Sequence, residues 1–338
     1  MIQGQGVFVF REPRVLTFST LDESDGLHVD CTSDAVFVIR VSTSEAYKDP
    51  ANSGGATWFS LDSHNQQLCA GLGEPRIETA TYRFKLPRSE RDFLEGLCLK
   101  NRYEKYIKDP ISIRPVPLTL KPHLSMHDVA RGVHMHRSHL SPVARQLYDC
   151  VAAKEFVLPK GLARAIDRSI ATPGLWCHEK LKEKDPALSY LRITLGLNGG
   201  ESPGVPYVME IWPVGHHSPI HNHAGSHAII KVLRGAIHVS LFPCLEITRP
   251  FTTVELRKGD VTWISPELNA THQLENLGSK TCITIQCYMY GNGDTTHYDY
   301  FDYLDQGVVH HFDPDSDMDF CDFVDLMKKE VPRKHWFS

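Results

Sequence analysis

The sequence predicts a mainly β protein: a strand-built C-terminal domain entered through helices, with a β-rich, sandwich-like domain ahead of it. Three observations lead there. Short β-rich runs separated by turn-forming residues fill the N-terminal third. Strand-type sequence dominates again from Tyr190 to about Tyr290. Inside that second stretch, His221-Asn222-His223 lies between Gly215 and Gly235, and a third histidine, His272, follows about fifty residues on.

Taken in order, Val7–Phe10, Ala35–Val41, Thr57–Leu61 and Glu78–Phe84 are rich in β-branched and aromatic residues, with Gly, Asp, Asn and Pro between them. That is the pattern of a small β-sandwich, assigned here to residues 1–108. Pro87 to Tyr106 reads as a helix capped by Ser89, with Phe93, Leu94, Leu97, Tyr103 and Ile107 near helical spacing. The stretch from Trp58 to Arg76 faintly resembles ligand-binding β-sandwich modules of the farnesoic acid O-methyltransferase type. Three roles stay open for this domain: recognition module, dimerisation surface, or lid on its neighbour.

Residues 109–124, holding Pro110, Pro115, Pro117 and Pro122, read as an extended connector, and 125–338 as the second domain. Ser141–Lys154 and Gly161–Ile170 read as helices leading into it. Asp313, Asp315, Asp317 and Asp319 alternate as in a calcium loop, but Met318 stands where such a loop needs glycine and Val324 where it needs glutamate. An acidic turn into a short amphipathic helix, with Phe320, Phe323, Val324 and Met327 on one face, accounts for the segment better.

The histidines carry the chemistry. Residues two apart on a strand point to the same face, so His221 and His223 project together. If that face lines a small barrel, His272 from a neighbouring strand completes a cluster. Neutral imidazoles suit Fe, Zn, Cu and Ni, and three of them leave coordination positions open. The chain holds its own control in His134-Met135-His136, which has the spacing but neither the glycine frame nor a downstream His-x-x-x-Asn such as His272…Asn276. That pair reads as structural.

From about Val143 to Asp302 the chain resembles the cysteine dioxygenase family of thiol dioxygenases. The residues that carry the likeness are Tyr190-Leu191-Arg192, Gly215 through His223, Ser226-His227 running to Gly235, Thr271 through Asn276, and Thr284-Ile285-Gln286-Cys287-Tyr288. The resemblance implies a C-terminal cupin, that is, a double-stranded β-helix or jelly-roll barrel. It implies Fe(II) held by His221, His223 and His272, and conversion of cysteine or a related small carboxylated thiol to its sulfinate with O2. Arg192, supported by Tyr190, would pair with the substrate carboxylate. Tyr288 would offer its hydroxyl to the substrate or to oxygen, so that Arg192, Tyr190 and Tyr288 bind substrate and Thr284 and Gln286 act with Tyr288 as catalytic residues. His216 and His227 match family histidines that are not ligands, and a structural role suits His297. Lys231 reads as the outward polar residue of its strand.

Two departures from the family stand out. Ala228 occupies the position of a cysteine that crosslinks to the tyrosine in mammalian-type members. Gln286 replaces the histidine that orients the tyrosine hydroxyl, and glutamine hydrogen-bonds but does not titrate.

Composition sets the bounds. A net charge of −5 argues against general affinity for nucleic acid or an anionic membrane surface. No charged and then apolar leader and no membrane-length apolar run is expected, and nine scattered cysteines without a Cys-x-x-Cys pair fit a reducing, cytoplasmic setting. A different metal-dependent cupin reaction, such as a lyase or ring-cleaving oxygenase acting on a small carboxylate, and a non-catalytic ligand sensor remain the competing readings.

Overall fold

The computed structural model describes residues 5–10, 14–19, 26–31, 36–41, 44–50, 56–85, 96–100, 106–107, 109–152, 156–185, 189–198, 205–223, 225–291, 301–312 and 315–331. The chain divides into two compact units, Met1–Val116 and Pro117–Ser338.

The first unit holds β1 (Gly6–Phe10), β2 (Arg14–Ser19), β3 (Gly26–Cys31), β4 (Val36–Val41), β5 (Ser44–Pro50), β6 (Thr57–Asp62), β7 (Gln67–Leu72), β8 (Ala80–Lys85), β9 (Cys98–Leu99) and β10 (Tyr106–Ile107). They form two five-stranded sheets, ordered β10-β1-β6-β7-β8 and β5-β4-β3-β2-β9. Phe8, Phe59 and Leu68 from the first sheet and Phe18, Leu27 and Val29 from the second bury together in one core, which makes the unit a sandwich. Gly71 is fixed by space: a Cβ there would meet the Thr79 carbonyl at 2.4 Å and the Trp58 ring at 2.6 Å. Of the helix expected over 87–106, residues 86–95 and 101–105 lie outside the described residues. Gly96 is helical, but the described residues beyond it correct the expectation: Cys98–Leu99 pairs with Phe18 and Ser19, Tyr106–Ile107 pairs with β1, and Leu97 and Leu99 enter the core at strand period.

The second unit runs β11 (Thr119–Lys121), α1 (Met126–Arg131), β12 (His134–His136), α2 (Pro142–Val151), α3 (Leu162–Ala171), α4 (Trp176–Glu183), β13 (Leu191–Asn198), β14 (Val205–Trp212), β15 (Ile220–His221), β16 (His227–Arg234), β17 (Ala236–Phe242), β18 (Thr252–Arg257), β19 (Val261–Ile264), β20 (Thr271–Glu275), β21 (Cys282–Met289), β22 (Phe301–Asp305), β23 (Val308–Phe312), β24 (Met318–Asp319) and α5 (Phe320–Glu330). One sheet is ordered β12-β11-β19-β16-β21-β14-β13-β24, the other β18-β17-β20-β15-β22-β23. From β14 to β22 the chain passes repeatedly from one sheet to the other, the winding of a double-stranded β-helix. Trp212, Val232 and Cys282 of the first sheet pack with Ile237, Val239, Leu241 and Leu274 of the second, so the sheets lie face to face.

Ser141 caps α2 by accepting from Ala144 N, with Pro142 in the first turn, as its sequence predicts. α2 packs against β16 and β21 on the outer face of the larger sheet. This corrects the reading of Lys231. Its ammonium is buried under the helix and donates to the carbonyls of Val151 (3.1 Å) and Phe156 (3.4 Å), next to the negative end of α2. A helix covers the face where strand alternation alone would have put solvent.

Thr119–Lys121, inside the stretch read as a connector, pairs with β19 and buries Leu118 and Leu120. Helix α4 had no counterpart in the sequence reading. α5 buries Phe323 and Met327, and its Glu330 carboxylate accepts from Ser169 (2.9 Å) and from Trp176 N (2.8 Å), tying α3, α4 and α5 together. Among the described residues no helix is long and apolar enough to cross a membrane.

Candidate metal centre

His221 and His272 stand directly opposite each other in the β15–β20 pair, and His223 follows just past β15. Ligand-capable nitrogens of the three lie within 4.8 Å of one another, and all three residues are buried. Ring centroids are 4.5 Å apart for His221 and His272, and 4.9 Å for each of the other two pairs. His221 directs Nδ1 to the Pro219 carbonyl at 3.0 Å, which leaves Nε2 to face the cluster.

The frame that aims these rings is local. Gly235 closes the β16–β17 turn at φ +75°, with the Thr281 carbonyl 3.0 Å from where a Cβ would sit. Asn276 is a lock rather than a ligand: Nδ2 donates to the carbonyls of Trp212 (2.8 Å) and Lys280 (2.9 Å), and Oδ1 accepts from Gly278 N at 3.0 Å.

The site fits a cation. Nε2 of His223 and Nε2 of His272 approach to 3.2 Å, and Nδ1 of His223 has no hydrogen-bond partner among the described residues. Burial is the first cause that depresses all three imidazoles, His221 to about 4 and His223 and His272 well below their ordinary value. The mutual proximity of the rings adds to this for His223 and His272. Three neutral nitrogen donors crowded together in a dry site are what a borderline divalent ion requires.

Tyr190, Arg192, Glu210, Trp212, Leu274, Gln286, Tyr288 and Phe301 line, with His221 and His223, one small pocket. Arg192 and Glu210 are cross-strand partners on β13 and β14, and Glu210 faces Thr284 on β21. Arg192 Nη1 donates to Glu210 Oε1 at 3.1 Å, and both side chains are buried. Gln286 Nε2 donates to Glu210 Oε2, and the Tyr288 hydroxyl donates to Gln286 Oε1. The guanidinium lies 5.7 Å from the Tyr288 ring centroid, and Tyr190 stacks on Trp212 at 4.2 Å. Burial pushes the Glu210 carboxyl up to about 7 against the lowering pull of Arg192 and Gln286, and drives both tyrosines above their ordinary value.

Seven of the eight residues singled out from sequence therefore surround one small space: His221, His223, His272, Tyr190, Arg192, Gln286 and Tyr288. Thr284 does not join them, because its hydroxyl accepts from the Trp212 indole at 3.1 Å. The hydrogen-bonded chain runs Tyr288–Gln286–Glu210–Arg192 rather than Thr284–Gln286–Tyr288. Glu210 and Phe301 were missed. The available signal for Glu210 was a lone acid in the apolar run Val208-Met209-Glu210-Ile211-Trp212, on the inward face with Val208 and Trp212.

The remaining histidines have other partners. His216 and its neighbour His217 bond the carbonyls of Ser189 and Ser218, and His227 lies 3.4 Å from the Ser141 hydroxyl. His134 meets Thr119 Oγ1 at 2.6 Å, while His136 reaches Ser138 Oγ (2.7 Å) and the Pro122 carbonyl (2.8 Å). His297 lies outside the described residues.

Fold and site together define a cupin-type protein with a buried three-histidine group able to hold a metal ion. No family model matches the chain, and no curated protein does. Among solved structures, it is similar to oxalate oxidase in complex with the substrate analogue glycolate, at 16% identity and TM-score 0.26 over 31% of this chain and 52% of that one. It is also similar to a double-stranded β-helix domain protein from Klebsiella pneumoniae (14%, TM-score 0.27, 40% of this chain and 99% of that one). A cupin 2 conserved barrel domain protein from Salinispora arenicola matches at 13% identity and TM-score 0.26, over 33% and 83%. The chain spans about half the length of the oxalate oxidase it matches.

Proposed function

We propose that this pocket is the active centre of an Fe(II)-dependent thiol dioxygenase that converts cysteine or a related small carboxylated thiol, with O2, to the sulfinate. The observation that carries the reading is the convergence of three buried, neutral imidazoles with Arg192, Tyr190 and Tyr288 around one small space. Fe(II) held by His221, His223 and His272 would supply the redox chemistry that adds both atoms of O2 to the thiol sulfur.

The rest of the work falls to the chain's own side chains. Arg192 Nε is buried without a hydrogen-bond partner among the described residues, which leaves a charged donor for a substrate carboxylate. Tyr190, held flat against Trp212, backs the guanidinium. Tyr288 keeps its proton at neutral pH and acts as a hydrogen-bond donor. Gln286 does not titrate, so among the described residues lining the pocket Glu210 is a group that can take or release a proton near neutrality. Phe301, 4.5 Å from the His223 ring, gives the pocket an apolar wall.

The test is oxygen uptake by the Fe(II)-loaded protein with L-cysteine, with sulfinate measured in the same sample and His272→Ala as control. Matched uptake and sulfinate, absent from the variant, are expected. A protein that holds iron and consumes no oxygen with any small thiol would sink the reading.

A further inference from the structure

Resting on the reading of a thiol pocket, we infer that Glu210 is a specificity-determining residue that receives an ammonium group of the substrate. The site would then select amine-bearing thiols over thiols that carry only a carboxylate.

The argument starts from what an acid is doing there. Glu210 projects from an otherwise apolar strand into the same pocket as the histidines, and only 2% of it is exposed. Burying a carboxylate is costly unless it is paired, and Arg192 at 3.1 Å provides the pair. Stability alone would be served as well or better by two apolar residues of similar volume, so the pair calls for a further use.

The hydrogen-bond inventory supplies one. A carboxylate offers about four lone-pair sites. Glu210 is given one hydrogen bond by Arg192 and one by Gln286, so acceptor capacity remains on both oxygens. Beside it, the buried Arg192 Nε is a donor without an acceptor among the described residues. The pocket thus presents an open anionic acceptor next to an open cationic donor.

Charge decides between candidate ligands. An ammonium set against Glu210 makes a charge-assisted bond in a dry site. A thiol bearing only a carboxylate meets the same Glu210 as a like charge and competes with it for one guanidinium. The tuning of Glu210 is consistent with this use: a carboxyl held up near 7 by burial is one that an incoming cation stabilises in its ionised form. Gln286 holds the carboxylate in place without supplying a charge of its own, which a histidine there could do.

The experiment uses the full chain loaded with Fe(II) and kept anaerobic. Calorimetry would measure binding of cysteamine, L-cysteine and 3-mercaptopropionate to wild type and to Glu210→Gln. Ethylamine and propionate serve as thiol-free competitors. Wild type is expected to bind the two amine-bearing thiols more tightly than 3-mercaptopropionate, and ethylamine to compete better than propionate. In Glu210→Gln the amine-bearing thiols should lose affinity by about tenfold to a hundredfold, the worth of one hydrogen bond to a charged group. The loss for 3-mercaptopropionate should be none. Wild type preferring 3-mercaptopropionate overturns the inference without recourse to any variant, as does an affinity ratio that Glu210→Gln leaves unchanged. Oxygen uptake separates the two readings: Glu210-dependent binding without oxygen consumption removes the dioxygenase but not the amine recognition. Oxygen consumption with a ratio indifferent to Glu210 does the reverse.

Discussion

Replacing Arg192 by methionine isolates the energetics on which the pocket depends. In the native protein the guanidinium and the Glu210 carboxylate are 3.1 Å apart, with side-chain exposures of 8% and 3%. Removing one member of such a pair leaves a buried charge uncompensated, at a cost of about 3–5 kcal/mol. For a unit the size of Pro117–Ser338 this corresponds to a fall in Tm of roughly 6–20 °C. The cost should depend on pH in a defined direction. At pH 8, above the carboxyl's value of about 7, Glu210 is ionised in the native protein and relies on Arg192, so the loss is greatest there. Without Arg192 the carboxyl rises further and takes up a proton, so near pH 5.5, where native Glu210 is protonated as well, the loss is smaller by about 1 kcal/mol. Arg192→Met/Glu210→Leu removes both charges and should be closer to wild type than Arg192→Met alone. Urea unfolding of wild type, both single variants and the double variant at the two pH values provides the measurement. Additive losses, or an Arg192→Met loss under about 1 kcal/mol at pH 8, would refute a buried, mutually dependent pair.

Other outcomes follow from the same geometry. The Glu210 carboxyl is raised from 4.5 to about 7 in the folded state, so its contribution to stability is fully present below its ordinary value and is lost as pH rises through 7. The amount is about 3 kcal/mol, and Glu210→Gln should remove that part of the stability–pH profile measured by urea midpoints. Lys231→Ala strips the Val151 and Phe156 carbonyls of a buried donor and should cost about 1–3 kcal/mol in the same assay, whereas a solvent-facing lysine would cost under about 0.5.

The three-histidine group was legible because its determinants are local. Strand period puts His221 and His223 on one side, a glycine turn at Gly235 and the Asn276 lock fix the surrounding loops, and His272 needs only the neighbouring strand. The two sheets were legible in outline from β-rich runs and turn residues. What the sequence hid depends on layers. Lys231 looks outward on its strand, but the covering helix α2 is fixed by tertiary packing that strand alternation does not encode. Thr119–Lys121 sits among prolines and looked like linker, yet Leu118 and Leu120 belong to the second unit's interior. Glu210 was hidden most completely. Its partners Arg192 and Gln286 lie 18 and 76 residues away, and only the strand order β13-β14-β21 brings the three together. The expected Thr284–Gln286–Tyr288 relay failed for the same reason: an acid from the adjacent strand takes Gln286, and Trp212 takes Thr284.

The most direct test of the central claim is the iron content of the 338-residue chain after anaerobic loading with Fe(II) and removal of excess, compared between wild type and His272→Ala, with circular dichroism to confirm that both are folded. One iron per chain in wild type and almost none in the variant is the predicted result. Equal iron in the two folded proteins, or none in the wild type, would contradict a centre built from His221, His223 and His272.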